Sequence, residues 1–124
     1  MKSVIAVILL TIALPAYSQN IWIKQSTETN NNFTKVFFAD TLNGWICGDS
    51  AVILFTSNGG LSWINQYRSS QDVIEDIFFL NAYTGWAVIW RSNGVYTRSI
   101  ILTTTNSGMN WIQTFYPDTT TLIS

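Results

Sequence analysis

Thr56-Ser57-Asn58-Gly59-Gly60-Leu61-Ser62-Trp63 recurs as Thr104-Thr105-Asn106-Ser107-Gly108-Met109-Asn110-Trp111, 48 residues further along. Both copies set a threonine, an asparagine, a glycine and a tryptophan at the same offsets, and the likeness extends upstream. Val36-Phe37-Phe38 returns as Ile77-Phe78-Phe79, and Asn43-Gly44-Trp45 as Thr84-Gly85-Trp86, each 41 residues on. The difference between the two spacings falls between Trp86 and Thr104, around Arg91-Ser92-Asn93-Gly94, as expected for one lengthened hairpin. Trp63-Ile64-Asn65-Gln66 is matched downstream by Trp111-Ile112-Gln113 and upstream by Trp22-Ile23-Lys24-Gln25. Five of the six tryptophans therefore hold repeat positions, and only Trp90, in the insertion, does not. Self-similarity at a period of roughly 40–50 residues marks units that bury their apolar faces by stacking on one another.

Turn signals cut each repeat into four short strands. The first repeat predicts strands over 34–39, 44–48, 51–56 and 62–67; the second predicts 75–80, 85–90, 95–104 and 110–115. Four antiparallel strands per repeat define an all-β chain of β-propeller blades, about two complete and others partial. The innermost strands are almost continuously apolar, which predicts burial on both faces between neighbouring blades. In this register 19–33 is an outer strand and linker, 34–73 one blade, 74–121 a second, and 122–124 the start of another. Two repeats cannot close a ring. They leave apolar faces and strand edges uncovered, so further blades or other subunits are expected to complete it.

Residues 1–18 read as a signal peptide: Lys2, an apolar run from Val4 to Leu14, Pro15, then Ala16-Tyr17-Ser18 before a cleavage point ahead of Gln19. The 11-residue apolar run is too short for a stable membrane anchor, and the residue directly after the cleavage point is Gln19, not a cysteine that could carry a lipid. The expectation is an exported protein. Of 124 residues, 48% are hydrophobic and 10% charged, which excludes a solvated disordered chain. Removing Lys2 leaves five Lys/Arg against seven Asp/Glu, so no positive field exists to attract nucleic acid. Histidine is absent, which removes the commonest metal ligand and general base. The single cysteine, Cys47, lies in an apolar run and reads as a small buried hydrophobe.

The pattern Thr56-x-Asn58-x-Gly60-x-Ser62-Trp63 resembles the Asp box of bacterial neuraminidase repeats, with Asn in place of Asp. The second copy departs further, with Asn110 at the Ser/Thr position. Together with Phe-Phe-x-Asp/Asn-x-x-x-Gly-Trp upstream, the unit resembles the photosystem II stability/assembly factor-like repeat family over the whole mature chain. That resemblance implies an exported, non-catalytic propeller, typically seven-bladed, that acts as a protein-binding or assembly scaffold. Sortilin-type receptors, xyloglucanases and sialidases share the Asp box. The alternative is thus a fragment of a sialidase- or xyloglucanase-like glycoside hydrolase. The box itself has a structural job: Asn58 and Asn106 bond backbone amides to close the turn, and Gly60 and Gly108 supply a positive φ. Trp63 and Trp111 then enter the layer between blades, where Trp45 and Trp86 are the other repeated aromatics.

No catalytic set emerges. A sialidase needs several converging arginines, and only Arg68, Arg91 and Arg98 are present. Asp72, Glu75 and Asp76 cluster where a loop enters an innermost strand, and read as a solvated rim rather than a glycosidase pair. No metal site and no cofactor are expected. Loops entering the innermost strands gather with the turns between second and third strands on one face, here 24–32, 67–72, Asp49 and 91–95. On it Tyr67, Arg68, Trp90 and Arg91 are residue types enriched at interface hot spots, and are the candidates for binding a protein or a surface glycan. The alternative is that Arg68 and Arg91 are solubilising edge charges.

Overall fold

A computed structural model describes residues 23–92, 94–95 and 97–116. The signal peptide, Trp22 and the start of a further blade at 122–124 lie outside the described residues. Eight strands follow in order: β1 (Phe33–Phe38), β2 (Gly44–Gly48), β3 (Ile53–Thr56), β4 (Ile64–Tyr67), β5 (Asp72–Phe79), β6 (Gly85–Ser92), β7 (Thr97–Thr104) and β8 (Ile112–Phe115). They form two four-stranded antiparallel meanders, β1-β2-β3-β4 and β5-β6-β7-β8. Among the described residues there is no helix. These are two stacked blades.

The seven extra residues of the second repeat lengthen β6 and β7 to eight residues each, where β2 and β3 have five and four. The ladder runs unbroken from Gly85↔Thr104 to Ser92↔Thr97, so the second blade stands taller at this end. Equivalent bulges interrupt both innermost strands, at Thr34 between Phe33 and Lys35 and at Glu75 between Ile74 and Asp76. A bulge turns the strand and frees its extra residue from the ladder. Thr34 uses that freedom to donate its hydroxyl across the seam to the Ile74 carbonyl at 2.8 Å.

The core lies between the blades. Trp45, Cys47, Ala51 and Ile53 of the first blade pack on Ile74, Ile77, Phe79, Ala87, Ile89, Ile100 and Leu102 of the second. Each fully buried large aliphatic or aromatic side chain contributes about 1.5–3 kcal/mol. Phe79 stacks on Trp45 with ring centroids 3.5 Å apart and planes 13° from parallel. Gly85 must be glycine because a Cβ there would meet the Phe79 ring at 2.5 Å, and Gly44 stands in the same relation to Phe38. The Phe-Phe…Gly-Trp spacing is therefore one packing device.

Burial of the innermost strands on both faces is not what the structure shows. β1 is mostly exposed, and β5 alternates between buried and exposed positions over its second half. One face of β5 is covered by the first blade; the other has no sheet against it among the described residues. The strand buried throughout is β2, with Trp45 and Cys47 in the seam. Its Ile46 packs with Val52, Leu54 and Trp63 in a second cluster.

The repeated turns share one hydrogen-bond scheme. The Thr56 hydroxyl accepts from the Gly60 amide at 2.9 Å and donates to Asn58 Oδ1 at 2.9 Å. Asn58 Oδ1 in turn accepts from the Ser62 amide at 2.9 Å. Thr104, Asn106, Gly108 and Asn110 repeat these bonds at 2.9–3.0 Å. Gly60 and Gly108 have φ of 92° and 82°, as that closure requires. Thr56 and Thr104 are buried. Each hydroxyl accepts from two backbone amides where the asparagine oxygen accepts from one, so the hydroxyl takes the larger part of the work that the sequence assigned to the asparagine.

Candidate functional site

The loops and turns at the β2–β3 end form a built rim. Asp49 anchors it: its amide donates to the Asn32 carbonyl at 2.9 Å, Asn31 Nδ2 donates to its carbonyl at 3.0 Å, and Asn32 Nδ2 to its carboxylate at 2.9 Å. The 67–72 loop is tied down by the Ser69 amide on the Ser50 carbonyl (3.1 Å) and the Ala51 amide on the Asp72 carbonyl (2.7 Å). Such bonds hold a loop on a rigid scaffold, the arrangement in which loop side chains serve recognition.

Asp72 corrects the sequence expectation of a solvated acidic rim. β5 begins three residues earlier than predicted, so Asp72 is a strand residue opposite Arg91 and its side chain is fully buried. Arg91 donates two bonds to it, Nε to Oδ1 at 2.7 Å and Nη2 to Oδ2 at 2.6 Å, and Ser69 Oγ adds a third at 2.8 Å. The bonds from Arg91, ahead of the one from Ser69, hold the Asp72 carboxyl below its ordinary value, against the opposing effect of burial. Glu75 and Asp76 are exposed, and Asp76 pairs with Lys35 across the seam at 3.1 Å.

Of the four candidate contact residues, the structure unites Tyr67 and Arg91 and places Arg68 on the adjoining loop. Tyr67 packs at the edge of the interblade core and accepts from Gln113 Nε2 at 2.8 Å. Burial first, then the Asp72 charge, push its phenol up. Trp90 precedes Arg91 in β6 and so lies on the opposite face of the blade, half-exposed, against Val73 and Ser99. It does not join the others. Arg98 does: the β6–β7 register sets it directly opposite Arg91. The sequence carried the signal for this, since a hairpin turning near Gly94 pairs 91 with 98, but the predicted strand stopped at Trp90 and left Arg91 in the turn.

Arg91 is thus committed to Asp72, while Arg68 and Arg98 are exposed and make no ion pair among the described residues. Cys47 is buried in the seam, and burial pushes its thiol up to about 11. A thiol so protonated is a poor nucleophile. We expect it to resist an aromatic disulfide reagent at pH 8 in native protein and to react at once in denaturant. Fast native labelling would contradict its burial. Among the described residues no group of three or more His, Cys, Asp or Glu side chains is placed to hold a metal ion.

Two stacked four-stranded blades with a repeated turn motif and a loop rim define a β-propeller repeat protein. Residues 14–117 match the family model described as photosynthesis system II assembly factor YCF48, and the chain belongs to that family. A solved structure described as YCF48 bound to D1 peptide is 27% identical, with a TM-score of 0.64. The match covers 84% of this chain and 32% of that one, so this chain spans about a third of the length of the structure it matches. The comparison with curated proteins finds no match.

Proposed function

We propose that this chain is an exported, non-catalytic propeller segment that binds a protein partner through the rim carrying Tyr67, Arg68 and Arg98. The observation that carries this is the placing of Arg68, Arg91 and Arg98 at one end of the stacked blades, two of them with unpaired guanidinium groups among the described residues. Guanidinium groups bind carboxylates through paired, charge-assisted bonds, and the nearby Tyr67 offers an aromatic edge. An extended segment bearing acidic side chains or a free C-terminus fits that surface. The related YCF48 structure, described as bound to D1 peptide, supports a peptide as the partner class. The signal-type N-terminus supports export, and the Asp-box-like turns serve as fold elements, not as the recognition surface.

Anisotropy of a labelled D1 peptide titrated with the chain tests this. Arg68→Ala/Arg98→Ala should weaken binding at least tenfold, with the thermal midpoint unchanged. Equal affinity in the double variant, or no binding by the unaltered chain, would sink the proposal. Arg91 is left intact because its removal strikes the fold.

A further inference from the structure

At the end of each blade opposite the arginine rim, two turns meet: the one after the innermost strand and the repeated one before the outer strand. The Gly59 amide donates to the Leu42 carbonyl at 2.9 Å, and in the second blade the Ser107 amide donates to the Tyr83 carbonyl at 2.8 Å. Each of these four turns carries one large apolar or aromatic side chain, at matching repeat positions: Leu42 and Tyr83, Leu61 and Met109. They are 55%, 67%, 84% and 72% exposed. Stacking of blades does not cover them. Tyr83 and Met109 keep this exposure with a blade packed on their preceding side, and Leu42 and Leu61 with a blade packed on their following side. A neighbouring blade covers sheet faces, whereas the turn ends stay outside the seam. In a closed ring they would crown one end.

We infer that this end docks on a lipid bilayer, its four side chains entering the interfacial layer of a surface with uncharged or zwitterionic headgroups. A turn that enters a low-dielectric layer must bring no unsatisfied amide with it. The Leu42 and Tyr83 amides donate to the side-chain oxygens of Asp40 and Asn81 at 2.8 Å each. Those of Leu61 and Met109 donate to the Asn58 and Asn106 carbonyls at 3.5 and 3.1 Å. All four residues thus carry their backbone donors already bonded.

Charge selects the kind of surface. Across residues 40–43, 57–62, 81–84 and 105–110 the one charged side chain is Asp40, and Asn43 and two turn amides hold its carboxylate. The opposite end collects Asp49, Arg68, Asp72, Arg91 and Arg98. Without a basic cluster on the turns, anionic headgroups add no attraction, and contact rests on apolar area. Shape agrees. The side chains stand on separate turns instead of lining one pocket, which suits several shallow contacts with a flat layer, and Tyr83 is of the amphipathic type that settles at headgroup level. With this end down, the arginine rim faces water about 20–25 Å away, the length of the eight-residue β6. Lipid contact and peptide capture are then independent.

Co-sedimentation of the purified chain with phosphatidylcholine vesicles tests this. The bound fraction should be the same at low salt and at about 0.5 M, where surface charge is screened, and phosphatidylglycerol should not raise it. Leu42→Ser/Leu61→Ser/Tyr83→Ser/Met109→Ser should cut partitioning at least tenfold with the thermal midpoint unchanged, while Arg68→Ala/Arg98→Ala should leave it intact. A polarity-sensitive dye then locates the contact, because the native Cys47 is buried and does not compete for it. Attached to Leu61→Cys, it should shift to the blue on vesicles; attached to Thr97→Cys, on the hairpin at the other end, it should not. Full retention by the quadruple variant, a shift at position 97 in place of 61, or binding that requires anionic lipid and vanishes with salt overturns the inference. So does an unaltered chain that stays in the supernatant, which would leave this end to a protein.

Discussion

Trp45→Ala is expected to lower unfolding free energy by about 3–5 kcal/mol, the range for truncating a large buried aromatic whose site cannot collapse. The indole is wholly buried between blades and lies flat on Phe79, with Phe55 5.0 Å away. Its Nε1 donates to Gln66 Oε1 at 3.1 Å and to the Ser107 carbonyl at 3.3 Å. Gln66 bonds the same carbonyl through Nε2 at 2.8 Å, so the three groups knit the outer strand of one blade to the turn of the next. Removing the ring opens a cavity on both sides of the seam and leaves that network short of a donor. Collapse is blocked because Phe79 is pinned over Gly85. Urea denaturation provides the measurement, and Trp86→Ala the control. It is the same residue type at the same repeat position, partly exposed and without the Gln66 contact, since Thr114 stands there. In isolated chains at low concentration its loss should be less than half as large. Equal losses would mean that the seam adds nothing beyond what one blade supplies.

The blades were legible in the sequence because the residues that define them act locally. Gly44 and Gly85 follow Phe38 and Phe79 at fixed spacing because a ring from one strand lies over the glycine of the next. A turn closed by Thr56, Asn58 and Gly60 is likewise contained in eight consecutive residues. Burial was less legible. An apolar run such as Val36-Phe37-Phe38 reports what a complete ring would cover, and among the described residues a sheet packs against one face of β1 alone.

The rim was the least legible part. Arg91 and Asp72 are 19 residues apart and meet only because β5 starts early and the ladder continues through the insertion. Trp90 looked like a companion of Arg91 because the two are adjacent in sequence, yet adjacency in a strand means opposite faces. Gln66 shows the same limit. It is the extra residue of a bulge in β4, where Tyr67 and Asn65 pair with Ile53 and Leu54. The bulge, absent from β8, lets it reach the neighbouring turn. A one-residue shift in register decides that contact, and propensity does not report it.

Arg91→Ala should cost more stability than Asp72→Ala, although both break the same pair. Arg91 leaves behind a carboxylate with no exposed side-chain surface, held by Ser69 alone, and stranding a buried charge costs about 3–5 kcal/mol. Asp72→Ala leaves a guanidinium that already has 37% of its side chain in solvent and can turn fully to water. That variant should lose roughly 1–2 kcal/mol, most of it the charge-assisted bonds. The pH dependence separates the cases further. In the unaltered chain the Asp72 carboxyl lies below its ordinary 3.8 when folded. Its contribution is therefore present above that value and lost as pH falls through the lower folded value. In Arg91→Ala the largest lowering influence is gone and burial raises the carboxyl above 3.8, which reverses the sign. The deficit of that variant should then be small near pH 4 and grow toward pH 7, as the unfolded chain ionises while the folded one resists. Asp72→Ala has no carboxylate to strand and should show no such growth. Chemical denaturation of the three proteins at pH 4, 5.5 and 7 checks this, and a deficit in Arg91→Ala that stays flat across that range would show that Asp72 finds water or another donor once its partner is removed.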